Sequence, residues 1–90
     1  MQSMTHVELH GWHAVYIARD AEGVPLYVGY SAGVFKRLGD HQTGSPWWPQ
    51  AVSVDLEWFK ARADALRRER ELIQYHQPEH NTQHRDPDSR

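Results

Sequence analysis

Two tyrosines, Tyr16 and Tyr27, end and begin the short phrases Ala14-Val15-Tyr16 and Tyr27-Val28-Gly29, with ten residues between them in a chain of 90. Arg37 and His41 follow four apart, and Glu69 and Asn81 come later, twelve apart. A phenol, with its pKa near ~10, serves as a base only where cations or a metal favour its ionised form. Arginine presents a planar fork of donors that matches a phosphate, and histidine exchanges a proton near neutral pH. Arg37 and His41, one helical turn apart, share a face. The chemistry open to such a set is proton transfer and charge neutralisation at an anionic substrate.

Each residue also has a plainer reading. A tyrosine in a strand usually packs, Arg37 could be a surface cation, His41 a core-edge imidazole, and Asn81 a cap for the last helix. Glu69 is harder to dismiss. Leu66, Glu69, Ile73 and His76 recur at i, i+3, i+7 and i+10, flanked by Ala65 and Leu72, which puts a carboxylate into an apolar stripe. Buried unpaired, that group is costly. An ion pair with Arg37, a partly exposed edge, or a divalent cation would each resolve it. A lone carboxylate suits Mg²⁺, which keeps most of its waters.

The remaining histidines raise a zinc reading, since His6, His10 and His13 cluster and His76, His80 and His84 are spaced by four. There is no cysteine, and Pro78 breaks the helix through the second set, so a structural zinc is the weaker expectation. Trp47 and Trp48 could stack on bases, although as a lid over a small core they have the simpler explanation.

The elements that must position these groups follow from periodicity. Trp12 to Arg19 and Val24 to Tyr30 are rich in β-branched and aromatic residues, and Asp20-Ala21-Glu22-Gly23 between them has hairpin chemistry. With Arg19 facing Val24, Val15 opposes Val28, Ile17 opposes Leu26, and Tyr16 opposes Tyr27, so both phenols project from one face. Ser31 is the expected N-cap of a helix over Ala32 to Gln42, with Val34, Leu38 and His41 as its inner stripe. Thr43 to Gln50 reads as a loop with a short turn at Trp47-Trp48. Ala51 to Phe59 alternates, with Val52, Val54, Leu56 and Trp58 on one face and Ser53, Asp55 and Glu57 on a solvated one. Ala61 to about Tyr75 is the longest helix, stopped by Pro78. The expectation is an α+β fold, a small three-stranded antiparallel sheet flanked by helices in the order β-β-α-β-α.

Ninety residues make one domain with a modest core. The first six residues lack the basic and apolar regions of a signal peptide, and the longest apolar run is far short of the ~20 residues a membrane helix needs. A soluble, cytoplasmic protein is expected. The formal charge of −2 weighs against a nucleic-acid partner. Its distribution weighs the other way, because Lys60, Arg62, Arg67, Arg68 and Arg70 oppose only Asp64 and Glu69 along one stretch. Those five and Lys36 are the candidate nucleic-acid contacts.

The ordered set resembles the GIY-YIG nuclease domain over roughly Trp12 to Asn81. The half-motifs are Ala14-Val15-Tyr16 and Tyr27-Val28-Gly29, the helix pattern runs from Ser31 to His41, and the later motifs are Glu69-Arg70-Glu71-Leu72-Ile73 and Gln77-Pro78-Glu79-His80-Asn81. The last is especially similar to the nuclease domain of the bacterial excision-repair endonuclease. Alanine stands in place of the first glycine, and His80 in place of an aromatic residue. The resemblance implies a lead-in at 1–11, a nuclease domain at 12–81 and a flexible tail at 82–90.

It also implies a divalent-metal-dependent endonuclease cutting DNA. Glu69 would hold one Mg²⁺ or Mn²⁺ on the scissile phosphate, stabilising the leaving 3′-oxygen, and Tyr16 would deprotonate water with help from His41. Tyr27 would position water or phosphate, Arg37 would neutralise charge on phosphorus, and Asn81 would orient the site. Specificity would come from this module, from a homo-oligomer or from a partner protein. The alternative is a non-catalytic nucleic-acid-binding or protein-interaction module on the same fold.

Overall fold

The computed structural model describes residues 11–81. The expected lead-in and tail lie outside them, apart from Gly11. Strands β1 (His13–Arg19) and β2 (Pro25–Ser31), helix α1 (Val34–Gly44), strand β3 (Ser53–Phe59) and helix α2 (Arg62–His76) follow in β-β-α-β-α order, with a single 3-10 turn at Trp48–Gln50. The strands are antiparallel with β1 in the middle, in the spatial order β2-β1-β3. This is the α+β architecture that periodicity predicts.

The hairpin differs from expectation in register. Asp20 closes the turn onto Val24 by a main-chain hydrogen bond of 3.0 Å, and its carboxylate accepts the amides of Glu22 and Val24 at 2.9 Å each. Gly23 supplies the positive φ, +81°, that this turn demands. Arg19 therefore faces Pro25 rather than Val24, and Leu26 is an extra residue, because Ala18 pairs with Tyr27. Beyond this bulge Ile17 opposes Val28, Val15 opposes Tyr30, and Tyr16 opposes Gly29, a slip of two residues from the predicted pairing. A slip of two preserves which face each side chain takes, so both tyrosines still share one. Leu26 does not keep its predicted face. The bulge turns it from Ile17 toward Ala18 and Trp47.

The sheet separates two layers. On one side Val15, Ile17 and Val28 pack against Ala65, Leu72 and Ile73 of α2. Removing each such aliphatic side chain from water is worth about 1.5–3 kcal/mol. The fully buried residues of α2 are Ala65, Leu72 and Ile73, while Leu66, Glu69 and His76 on the same side of the helix are half-buried. On the other side Ala14 and Tyr16 pack on Val34 of α1, with Leu38 and Val54 at the margin.

The first helix starts two residues later than the capping argument predicts. The Ser31 hydroxyl accepts the Gly33 amide at 2.9 Å in a local turn, and Gly33 takes the cap position with no side-chain cap. The alternation in β3 is as predicted, since Val54, Leu56 and Trp58 share the face of Tyr16. Its apolar side is nonetheless open, because β3 is a sheet edge and Leu56 and Trp58 stay exposed. α2 ends where Gln77 adopts a left-handed conformation, φ 48°, with its amide on the Ile73 carbonyl at 2.8 Å.

Candidate active site

The two half-motifs make room for each other. Tyr16 and Gly29 are directly opposite across the hairpin, and the Tyr16 ring lies over Gly29 so closely that a Cβ there would overlap the ring and its hydroxyl. A glycine at this position is thus a condition for burying Tyr16. Tyr27 projects from the same face with its ring centre 6.2 Å from that of Tyr16. Trp47 stacks on Tyr27 at 5.2 Å and is itself buried, so it serves as a lid on the core, whereas Trp48 is half-buried.

Helix α1 brings the nitrogen groups. Its stripe of Val34, Leu38 and His41 turns His41 into the interior, where Nε2 meets the Tyr16 hydroxyl at 2.8 Å. The other ring nitrogen, Nδ1, is hydrogen-bonded to the Ser45 hydroxyl just past the helix end. One turn earlier on the same helix, the exposed Arg37 guanidinium is near enough to both phenols for its charge to act on Tyr16 and theirs on it. Both partners of His41 are hydroxyls, which donate or accept; in the tautomer whose Nε2 accepts the Tyr16 O–H, Nδ1–H donates to Ser45.

Glu69 comes from the far layer, yet its charge acts on the same phenol. Burial raises the Tyr16 pKa most, and Tyr27 and Glu69 push it further above the ordinary value, while Arg37 opposes them. Tyr16 is a neutral phenol in this state. Burial and the nearby Arg37 charge lower the pKa of His41, so its imidazole is neutral near pH ~7 and able to accept a proton. The phenols in turn raise the pKa of Arg37.

Tyr16, Tyr27 and His41 from β1, β2 and α1 therefore meet, and the charges of Arg37 and Glu69 both act on the Tyr16 phenol. Among the described residues no three His, Cys, Asp or Glu side chains gather as a metal-binding cluster. A dedicated zinc set is not formed there, and His6, His10 and His84 lie outside those residues. His13 instead bonds the Tyr30 hydroxyl through Nδ1 at 2.8 Å. A single carboxylate such as Glu69, whose charge reaches the Tyr16 phenol, does fit a hydrated cation that completes its shell with waters and phosphate oxygens.

Asn81 does not enter this group. It is fully buried, and its amide pairs with both main-chain groups of Val28, accepting the N–H and donating to the C=O at 2.7 Å each. It neither caps α2 nor touches a phenol; it stitches the chain after the helix to β2, between Tyr27 and Gly29. Ser45 was not singled out by sequence, because a serine in a loop carries no periodic signal. Its only clue is that it stands four residues after His41.

The candidate nucleic-acid contacts are unevenly available. Arg67 pairs with Asp64 at 2.7 Å, Arg68 with Glu57 at 2.9 Å and with Glu71 at 3.6 Å, and Lys36 with Asp40 at 3.2 Å. Lys60 lies over the Trp12 ring at 4.8 Å and Arg62 over Tyr30 at 5.9 Å, while Arg70 is exposed. No helix among the described residues is long and apolar enough to cross a membrane.

Compared with curated proteins, the chain finds no match. Compared with family models, it matches the GIY-YIG catalytic domain over residues 12–84, a span that holds the hairpin phenols, both helices and the buried asparagine. With that match and a three-stranded antiparallel sheet carrying two helices, the chain is a small GIY-YIG domain with a nuclease-type fold and belongs to that family.

Proposed function

We propose that this domain hydrolyses phosphodiester bonds in DNA with the Tyr16 face as its catalytic surface. What supports the reading is the meeting of two phenols and an imidazole from three separate elements, with the charges of Arg37 and Glu69 acting on the Tyr16 phenol. Arg37 holds the scissile phosphate and offsets the charge that builds on phosphorus. Tyr16 takes a proton from the attacking water while handing its own hydroxyl proton to Nε2 of His41. The sum is a hydroxide and an imidazolium, with the phenol unchanged. This relay suits a Tyr16 whose pKa is raised, because the phenol never has to persist as phenolate. Tyr27 aligns water or phosphate beside it. Glu69 would hold Mg²⁺ or Mn²⁺, which when bound supplies Lewis-acid stabilisation of the phosphate and leaving oxygen and reverses the sign of the charge that Tyr16 feels.

Supercoiled plasmid incubated with the protein and Mg²⁺ or Mn²⁺ is expected to be nicked, and Glu69→Ala is expected to abolish product. Product formed with all divalent cation chelated would overturn the mechanism. A second reading is a non-catalytic nucleic-acid-binding or protein-interaction module on the same fold; the ion pairing of Arg67 and Arg68 and the net charge of −2 favour a protein partner within it. Salt-dependent binding that survives Glu69→Ala, with no cleavage of any substrate, would select it.

A further inference from the structure

The six candidate nucleic-acid contacts divide by what holds them. Lys36, Arg67 and Arg68 each bond a carboxylate of the chain, which offsets their charge locally. Lys60 and Arg62 are exposed and lie instead over aromatic rings, 4.8 Å from the centre of Trp12 and 5.9 Å from that of Tyr30. Among the described residues neither has a carboxylate within ion-pairing distance. A ring face positions a cation without neutralising it, so its N–H donors stay available to an anion. Arg70 is exposed too, but stands about 80° around the helix from Arg62.

The two ring-held cations have a fixed relation to Glu69. Arg62 and Glu69 are seven residues apart on α2, two turns less about 20°, so they share one line of the helix. Along the axis they are about 10.5 Å apart, on the order of three nucleotide steps of one DNA strand. Tyr30, beneath Arg62, follows Gly29 in β2, and the Tyr16 ring lies over Gly29. Lys60 extends the row. It follows Phe59, the sheet partner of His13, and His13 bonds and stacks on Tyr30. Arg62, Tyr30, His13, Trp12 and Lys60 thus run across the end of the sheet from the start of the helix that carries Glu69.

We propose that Arg62 and Lys60 hold backbone phosphates of the DNA strand being cut, a few nucleotides from the scissile bond, as a second anchor for the substrate. The inference rests on the reading of Glu69 as the carboxylate that holds the metal at the scissile phosphate. Such an anchor is indifferent to sequence, because it meets phosphates and no base edges. It acts on bound substrate and transition state alike, so it lowers KM and leaves kcat in place. Arg67 and Arg68 take no part, since meeting a phosphate would first break their ion pairs. A cationic patch also fits an acidic protein, but the spacing favours DNA. A strand with one phosphate at Glu69 carries others at regular intervals along the same line.

The test measures binding of a dye-labelled DNA duplex by anisotropy, with divalent cations chelated, over a series of salt concentrations. Each phosphate contact contributes about 0.9 to the slope of log K against log salt. Lys60→Gln and Arg62→Gln are each expected to reduce that slope by about 0.9, and Arg62→Lys to keep it. Arg19→Gln removes the same charge from the opposite end of β1 and should leave the slope alone. With Mg²⁺, Arg62→Gln should raise KM for cleavage of the same duplex and leave kcat unchanged. Both side chains are exposed, so the variants should melt with the parent protein.

A slope that stays at the parent value in both glutamine variants overturns the proposal. So does an equal fall in Arg19→Gln, which would report net charge and not a site. A parent slope near zero overturns it as well and leaves the patch to an acidic protein, and a fall in kcat with KM unmoved contradicts an anchor. The expected loss of slope without any cleavage by the parent sinks the nuclease reading alone; cleavage with an unmoved slope sinks the anchor alone.

Discussion

The Tyr16 hydroxyl and the Nε2 atom of His41 lie 2.8 Å apart although 25 residues separate them in sequence. This bond ties the middle strand to α1, and it couples a phenol that is reluctant to ionise to an imidazole that is reluctant to be charged. His41 is held below the ordinary histidine range by burial and by Arg37.

The first prediction concerns pH. A histidine with a lowered folded-state pKa binds fewer protons in the folded than in the unfolded chain, so stability is complete above the unfolded value of ~6.5 and declines as pH falls through the folded one. His76 shifts the same way, through burial and the charges of Arg19 and Arg68. Urea denaturation from about pH 7.5 down to about pH 5 should show the loss, and His41→Gln should flatten but not remove it. Cleavage should rise with pH through an apparent pKa below that of a free histidine, since the relay needs neutral His41. His41→Ala is expected to lower kcat by about 10²–10⁴-fold, the usual contribution of a proton-transfer group.

Ser45 gives a finer test. Its hydroxyl bonds Nδ1 of His41, and in the proposed relay it accepts from Nδ1–H while Nε2 accepts from Tyr16. Ser45→Ala should reduce kcat by roughly tenfold, well short of the loss expected for removing the proton-transfer group itself, and should displace the lower limb of the pH–rate profile. KM should hold. An unmoved profile would reduce Ser45 to packing.

Gly29→Ala should cost stability rather than binding. The added methyl carbon meets the Tyr16 ring, which is buried and anchored to His41. Overpacking of this kind costs about 1–3 kcal/mol, and more where the neighbour cannot yield. Denaturation should show it, and combining Gly29→Ala with Tyr16→Val should restore part of the loss. Tyr16→Phe, which keeps the ring, should not. Additive double mutants would refute the contact.

Asn81→Ala removes both hydrogen bonds to Val28. Leaving two buried main-chain groups without partners costs about 1–3 kcal/mol each, so the melting temperature should fall. Asn81→Asp should rescue little, because a carboxylate accepts the Val28 amide but repels its carbonyl. If Asn81 positions β2 and takes no part in chemistry, the cleavage rate of the remaining folded protein should stay close to that of the parent.

Side-chain alternation in the strands and the three-to-four-residue spacing in the helices were enough to read the order of elements, the shared face of Tyr16 and Tyr27, and the inward turn of His41. These properties depend on local geometry, and a two-residue slip in register leaves facing unchanged. Leu26 could not be placed that way, because a bulge is set by how the Asp20 turn closes, and an extra residue there has no periodic mark. The apolar stripe put Glu69 among core residues, and only the packing of α2 on β1 and β2 decided that Ala65, Leu72 and Ile73 are fully buried and Glu69 half-buried. Ser45 against His41, and Asn81 against Val28 at a separation of 53 residues, are likewise products of tertiary contact. Local spacing determines which way a side chain points, and only the packed chain determines what it meets.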